Sequence, residues 1–335
     1  ILNTGIQFDY EKLIRSLENL IKKGLKSIII IGGGEPTVSP YFFNIVEHCK
    51  KNNLEVGVVS NGSRPETIKK VLPLLDEKDW IRYSLDASSN KLFNDMHLPK
   101  KKTVTLDWIC ENVKKLSDEF PKVVFGFSFI IVWQNLRAND TDIHENIHEM
   151  LDAAILAKKS GFKYISFKPF LDREENNSEV IGGIRNVEFN KNIKNIIKEN
   201  VLKCEEIQDG NFKVVRSTNL TVFVENLADK YQKQPKKCHM HYFRQVLSPL
   251  GTYSCPVYRN SELTKVGSKH SFSDEQSFKN TAEKTINVIN DFDASKVCKD
   301  VVCLYNDANW FIDDLINNNK NLELEIKKES TDSYL

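Results

Sequence analysis

Lys26-Ser27-Ile28-Ile29-Ile30-Ile31-Gly32-Gly33-Gly34-Glu35-Pro36-Thr37 is the stretch on which the fold turns. Its four consecutive isoleucines put apolar bulk on both faces, which predicts a strand buried on both sides in a parallel sheet. Three glycines follow at once. Lacking side chains, they let the backbone turn sharply and let a ligand come close to the peptide groups. Glu35 and Pro36 then set one charge and one fixed φ at the mouth of that strand. A buried strand whose carboxyl end opens into bare backbone is where α/β proteins place their ligands.

Working outward, strand and helix signals alternate. Asp9 can cap a helix carrying Leu13, Leu17, Leu20 and Ile21 and ending at Gly24. After the isoleucine strand come a helix over 40–52, a strand over 54–60, a helix over 65–75 and a strand over 80–86. A helix over 103–116, a long strand over 122–132, an amphipathic helix over 142–160 and a strand over 162–170 complete the series. Five strands and five helices in alternation predict an α/β fold with a parallel sheet. Right-handed crossovers could curl it into a full or partial barrel. Beyond Arg173 this rhythm stops: 174–183 reads as a polar linker, followed by a helix over 187–204, a strand over 211–216 and a helix over 220–231.

Composition narrows the function. The 335 residues are 40% hydrophobic, enough for a substantial core, and the net charge is +1. No electrostatic case exists for nucleic acid or an anionic membrane as the main partner. No apolar run reaches membrane-spanning length and no signal peptide opens the chain. Seven cysteines in a long Lys-, Asn- and Ile-rich chain fit metal or cluster ligation in a reducing cytoplasm better than a secreted disulfide scaffold.

Gly32-Gly33-Gly34-Glu35-Pro36-Thr37 after an isoleucine strand resembles the S-adenosylmethionine-binding motif at the second strand of radical SAM enzymes. The resemblance implies a partial (βα)6 TIM-like barrel over 1–175, its first βα unit incomplete, a bridging region over 176–232 and a small α+β cluster-binding domain over 233–335. It also implies that carbonyls at Gly32, Gly33, Gly34 and Glu35, just before Pro36, accept hydrogen bonds from the cofactor's amino group. An ammonium needs several acceptors at close range, and carbonyls supply them best where no Cβ intrudes. Polar residues at later strand ends, Ser60, Asn61, Ser84 and Asp86, would meet its ribose hydroxyls and carboxylate. Turn chemistry at Asn61-Gly62 and a helix cap at Asp86 are the rival readings. Ser128 and Lys168 join this cofactor-binding set. Together with Arg173 they are polar exceptions among Phe125, Phe127, Phe129, Ile165, Phe167 and Phe170. Lys168 could instead hold a carboxylate or phosphate of the substrate, or pair with an acidic neighbour.

In this family a Cys-x-x-x-Cys-x-x-Cys loop after the first strand ligates the catalytic 4Fe-4S cluster and leaves one iron open. The sequence contains no such triplet, and helix signals begin almost at Ile1. The expectation is therefore a piece that lacks its first strand and cluster loop and is inactive by itself. The other possibility is a degenerate, non-catalytic barrel that binds without reacting. By resemblance, the intact enzyme cleaves S-adenosylmethionine reductively to a 5′-deoxyadenosyl radical. That radical takes hydrogen from a peptide, sugar or other natural-product substrate, with a flavodoxin or ferredoxin as electron donor.

Cys238, Cys255, Cys298 and Cys303 cluster in the last third of the chain. Pro249 at the second position of the turn 248–251 and Gly251 at the fourth would let a hairpin bring Cys238 and Cys255 together. This run is similar to the twitch domain, the short form of the SPASM extension, and so implies one auxiliary 4Fe-4S cluster. Structural zinc, with His239 or His241 replacing a thiolate, is the alternative. Cys49, Cys110 and Cys204 read as packing residues. His144-Glu145-Asn146-Ile147-His148 matches the His-Glu-x-x-His zinc signature and gives the rival function, a zinc-dependent hydrolase.

Overall fold

The computed structural model describes residues 6–134, 136–138, 141–175, 178–181 and 187–318. Its strands are β1 (Ser27–Ile30), β2 (Glu55–Ser60), β3 (Trp80–Ser84), β4 (Val124–Ile131), the hairpin β5 (Leu136–Ala138) and β6 (Thr141–Ile143), and β7 (Tyr164–Pro169). The hairpin β8 (Leu171–Arg173) and β9 (Glu179–Ile181) comes next, then β10 (Lys213–Arg216). One six-stranded sheet has the order β1-β2-β3-β4-β7-β10, and every neighbouring pair in it is parallel. Spatial order thus follows chain order, with only hairpins interposed. A doubly wound sheet would reverse direction at a switch point; winding one way carries every crossover to the same face, as in a barrel wall.

Helix α1 (Tyr10–Lys22) precedes β1, and α2 (Phe42–Lys51), α3 (Pro65–Val71), α4 (Asn90–His97), α5 (Leu106–Glu119), α6 (Met150–Lys159), α7 (Val187–Glu205) and α8 (Thr218–Val224) come after strands. Val58, Tyr83, Phe127 and Ile165 from the sheet share one core with Leu17, Val46, Ile109, Ala153 and Val201 from the helices. Asp9 caps α1 through Lys12 N, and Thr105 caps α5 through Trp108 N. Cys49, Cys110 and Cys204 are buried, as packing residues should be.

Strand pairing sorts the opposite face into rows. Gly57, Trp80 and Val124 stand side by side; the next row toward the carboxyl ends is Val59, Arg82, Gly126 and Tyr164. Then come Ser84, Ser128 and Ser166, and last Ile130 with Lys168. Trp80 lies over Gly57, so closely that a Cβ there would fall 2.3 Å from its ring.

Four expectations change. The isoleucine strand is only half-buried, and Ile31 is 63% exposed, because β1 is an edge of the sheet. The rhythm does not stop at Arg173: β10, read above as lying in a bridging region, pairs parallel to β7 as the sixth strand. Residues 174–183 are not all linker, since Glu179–Ile181 pairs with Leu171–Arg173. The helix expected from residue 142 begins only at Met150, after β6 and a short 3-10 turn at Ile147–Glu149. Asn146 stops it earlier, because its buried amide bonds to the ends of other strands instead of to a helix.

After α9 (Ala228–Tyr231) and α10 (Met240–Phe243), β11 (Val246–Ser248) and β12 (Gly251–Tyr253) form the expected hairpin, with Ser248 opposite Gly251. The strand β13 (Lys265–Gly267) adds to β12, followed by α11 (Glu275–Asp291), α12 (Ala294–Val297) and α13 (Asn306–Asn317). Asn19 of α1 donates to the Phe272 carbonyl, and Glu179 of β9 takes both Arg173 and Arg259, tying this part to the sheet.

The Trp80 contact generates a prediction. Gly57→Ala must displace a buried indole that also carries the Arg82 guanidinium 5.1 Å from its ring. It should cost about 1–3 kcal/mol, read as a lower urea midpoint, whereas Gly34→Ala, with nothing within 4 Å of the added carbon, should leave the midpoint unchanged.

Candidate functional site

All six parallel strands end on one side, and there the chain from β1 meets the end of β2. Glu35 ties them. Its carboxylate accepts from Thr37 N (3.2 Å), Thr37 Oγ1 (2.6 Å), Ser60 Oγ (2.9 Å) and Asn61 N (2.6 Å). Pro36 pre-sets the first turn of the short 3-10 helix that Glu35 caps. Gly32, Gly33 and Gly34 remain exposed. The loop curls tightly enough that a Cβ on Gly32 would sit 2.5 Å from the Gly34 carbonyl oxygen, while the space around Gly34 is open. Backbone acceptors are therefore presented to solvent on a loop fastened from behind.

Ser60 and Asn61 act here as partners of Glu35. The Ser60 hydroxyl also receives Gly62 N, and the Asn61 side-chain carbonyl receives Ser63 N in an Asx turn.

The ends of β3 and β4 are joined by a second knot. Asp86 adopts a left-handed conformation (φ 54°), which aspartate tolerates better than most residues. Its carboxylate accepts from Ile130 N (2.7 Å) and faces His97 Nε2 at 3.3 Å. Asn146, fully buried, accepts from Val132 N and donates to the Asp86 and Ile130 carbonyls. Asp86 is thus not the cap of α4; Ser89 is, through Leu92 N. Burial alone would lower the His97 pKa, but the bond to Asp86 raises it overall. Sequence reasoning missed Asn146 and His97, since a single Asn or His carries no periodic signal.

The hydroxyls of Ser84, Ser128 and Ser166, one row across three strands, bond to no other described residue. Lys168 stands one row nearer the strand ends, and burial, with repulsion from Arg82, pushes its pKa down to about 7 despite attraction from Asp86. It feels the Arg82 cation and forms no ion pair with a described residue. Arg173 instead pairs with Glu179, away from this face.

Cys238, Cys255, Cys298 and Cys303 converge. Burial, then the charge of Cys255, pushes the Cys238 thiol up to about 11; Cys298 and Cys303 are raised by burial and by the other cysteines. Backbone N–H groups of Met240 and His241 point at the Cys238 sulfur, and those of Tyr258 and Val257 at Cys255. Among the described residues, no three His, Cys, Asp or Glu side chains stand in the geometry of a single metal ion. His239 is engaged with Asp313 and His241 with Ser254.

The His-Glu-x-x-His letters do not form a helical metal site. His144 and Glu145 lie in the loop after β6, His148 in the 3-10 turn, and the Asn146 between them belongs to the strand-end knot. His144, His148 and Glu149 line a surface cavity of about 460 Å³ with Ser89, Lys91 and Asp95 of the α4 region. Glu149 is spent there on the backbone of Ser88 and Ser89 and on the Ser89 hydroxyl.

Two outcomes follow from the knots. Glu35→Gln removes the charge from four hydrogen bonds and should lower stability by about 1–3 kcal/mol, measured by urea unfolding. Because the folded pKa of His97 lies above 6.5, its pairing with Asp86 is fully present below pH 6.5 and is lost as pH rises through the folded value. Melting temperatures compared between about pH 5.5 and about pH 8.5 should fall more for the wild type than for His97→Gln; parallel curves would contradict the pairing.

Residues 3–141 match the family described as the Radical SAM superfamily. A search of curated proteins found no match. Among solved structures, Streptococcus suis SuiB aligns with TM-score 0.54 and 14% identity over 80% of this chain and 58% of that one. SuiB bound to S-adenosylmethionine gives 0.53 and 15% over 80% and 57%, and SuiB bound to its precursor peptide SuiA gives 0.50 and 14% over 80% and 58%. The chain therefore spans less than two thirds of SuiB, and at this identity the likeness is one of fold. The matched span holds β1 to β4, the Gly32–Glu35 loop, the Glu35 knot and, of the second knot, Asp86, His97 and Ile130 but not Asn146; over that span the chain is similar to the Radical SAM superfamily.

Proposed function

We propose that the carboxyl end of this sheet binds S-adenosylmethionine as part of a radical SAM enzyme acting on a peptide, sugar or other natural product. One observation carries the reading: three exposed glycines present bare peptide groups at the end of β1, on a loop that Glu35 fastens to β2. Carbonyls with no Cβ beside them converge most readily on an ammonium from one side. The unengaged hydroxyls of Ser84 and Ser128 face the same space and suit ribose or carboxylate oxygens.

When bound and reduced, a catalytic 4Fe-4S cluster would supply the electron that breaks the cofactor's sulfonium bond. Its three-thiolate loop is not among these residues, whose remaining cysteines, Cys49, Cys110 and Cys204, lie buried in helices on the outer face. No step of that chemistry is therefore assigned to them. Their part is to orient the cofactor and keep water from it.

The four converging thiols would hold one auxiliary 4Fe-4S cluster. The fit rests on four cysteines within electrostatic reach of one another and on backbone N–H groups aimed at two of the sulfurs, which favour the thiolates there against the burial that favours thiols.

Anaerobic reconstitution with iron and sulfide tests this assignment. About four irons per chain should bind and give visible absorption, and Cys255→Ala with Cys303→Ala should abolish both; colourless protein containing one zinc would overturn the cluster in favour of zinc. Calorimetry with S-adenosylmethionine tests the proposed site. Saturable heat that disappears in Gly32→Val is expected, and no heat in the wild type would favour a barrel that does not bind this cofactor.

A further inference from the structure

Arg82 carries a buried charge for which no described residue is a counter-ion. Its Nε is buried without a hydrogen-bond partner, and the neighbouring Tyr164 hydroxyl interacts with the guanidinium without neutralising it. The one ring it covers is Trp80, at 5.1 Å. Two further cations approach it. Lys168 reaches back from the row nearest the strand ends, close enough to be repelled by Arg82. Arg244, at the end of α10, lies over the Tyr305 ring and within electrostatic reach of both Arg82 and the Cys255 thiol. No carboxylate among the described residues forms an ion pair with Arg82, Lys168 or Arg244; Asp86, the acid nearest Lys168, is already bonded to Ile130 N and His97.

Gathering three cations on one face costs stability, through desolvation and mutual repulsion, unless an anion completes the set. The row between Arg82 and Lys168 is Ser84, Ser128 and Ser166, small side chains with idle hydroxyls. Hydroxyl donors and positive charge without an ion-pair partner among the described residues therefore coincide. Arg and Ser donors together are what a planar or tetrahedral oxyanion requires.

We propose that Arg82, Lys168 and Arg244, with Ser166 of the row between Arg82 and Lys168, form an oxyanion subsite that takes a carboxylate or phosphate of the substrate. The subsite deepens the reading given above and rests on it for the word substrate: the acid group would anchor the molecule between the strand ends and the cysteine cluster. Neutral sugars and unmodified apolar peptides would then be poor substrates.

The test uses the full chain, with inorganic phosphate and succinate as separate probes at constant ionic strength. Trp80, in contact with Arg82, reports through its fluorescence, and calorimetry gives the affinity. Saturable binding is expected in at least one arm, and the tighter arm tells phosphate from carboxylate. Lys168→Gln and Arg244→Gln should each weaken it roughly 10- to 100-fold. Without any anion, both variants should melt at a higher temperature than the wild type, because a repelling charge is gone; a purely structural role would lower the melting point. Arg244→Gln leaves the sheet untouched and keeps the test valid if the Lys168 variant folds poorly. No saturable binding, or unchanged affinity in both variants, overturns the proposal. So does one-for-one competition between the probe and S-adenosylmethionine, which would assign the cations to the cofactor's own carboxylate. Failure of the cofactor reading shows separately, as absent S-adenosylmethionine binding with anion binding intact.

Discussion

The carboxylate of Glu35 stands at the meeting point of two strand ends and leaves the three glycines before it nothing to do but face outward. Its acceptors take the N–H and hydroxyl of Thr37 in the 3-10 turn on one side, and the Ser60 hydroxyl and Asn61 N–H on the other. A loop of three glycines would otherwise sample many conformations, because glycine has the most backbone freedom to lose on folding. Charge-assisted bonds on both flanks offset that cost and hold the carbonyls in one arrangement before any ligand arrives. The knot of Asp86, Asn146 and His97 does the same for β3 and β4. The mouth of the sheet is thus built from fixed strand ends.

Behind the mouth, the two faces of the sheet have opposite physics. The outer face is an aromatic and aliphatic core, with Phe125, Phe127, Phe129, Ile165 and Phe167 fully buried against helices. The inner face alternates with it, residue by residue, and carries Arg82, a row of serines and Lys168. The lowered Lys168 pKa, about 7, and the partnerless Arg82 Nε are two signs of one condition: positive charge held away from water with no ion-pair partner among the described residues. A fold selected for stability alone would place apolar side chains or ion pairs there. The C-terminal part closes on this side, bringing Arg244 and the thiol of Cys255 toward the same space.

Much of this was legible in the sequence, for identifiable reasons. Strand runs such as 54–60 and 122–132, and a helix with a strong cap such as Asp9, signal themselves locally. The Gly32–Thr37 motif and the four cysteines were legible because unusual residue types sit at short spacing. What escaped depends on partners distant in sequence. β10 is only four residues long, and nothing nearby reveals that it pairs with β7. Asn146 hid inside a string of letters that also spells a zinc motif, and its role exists only once β3 and β4 are side by side. The partial exposure of the isoleucine strand depends on its place at the edge of the sheet, a global property. Arg82 reads as one polar residue in an apolar strand until the register sets it beside Tyr164 and below Lys168.

Amide hydrogen exchange at Thr37 and Asn61, with and without S-adenosylmethionine, bears most directly on the pre-fastened loop. Both N–H groups should exchange slowly in the free protein, because each already donates to Glu35, and the cofactor should slow exchange further around residues 32–37. Rapid exchange at both amides in the free protein, unaltered by the cofactor, would contradict a loop held ready to receive it.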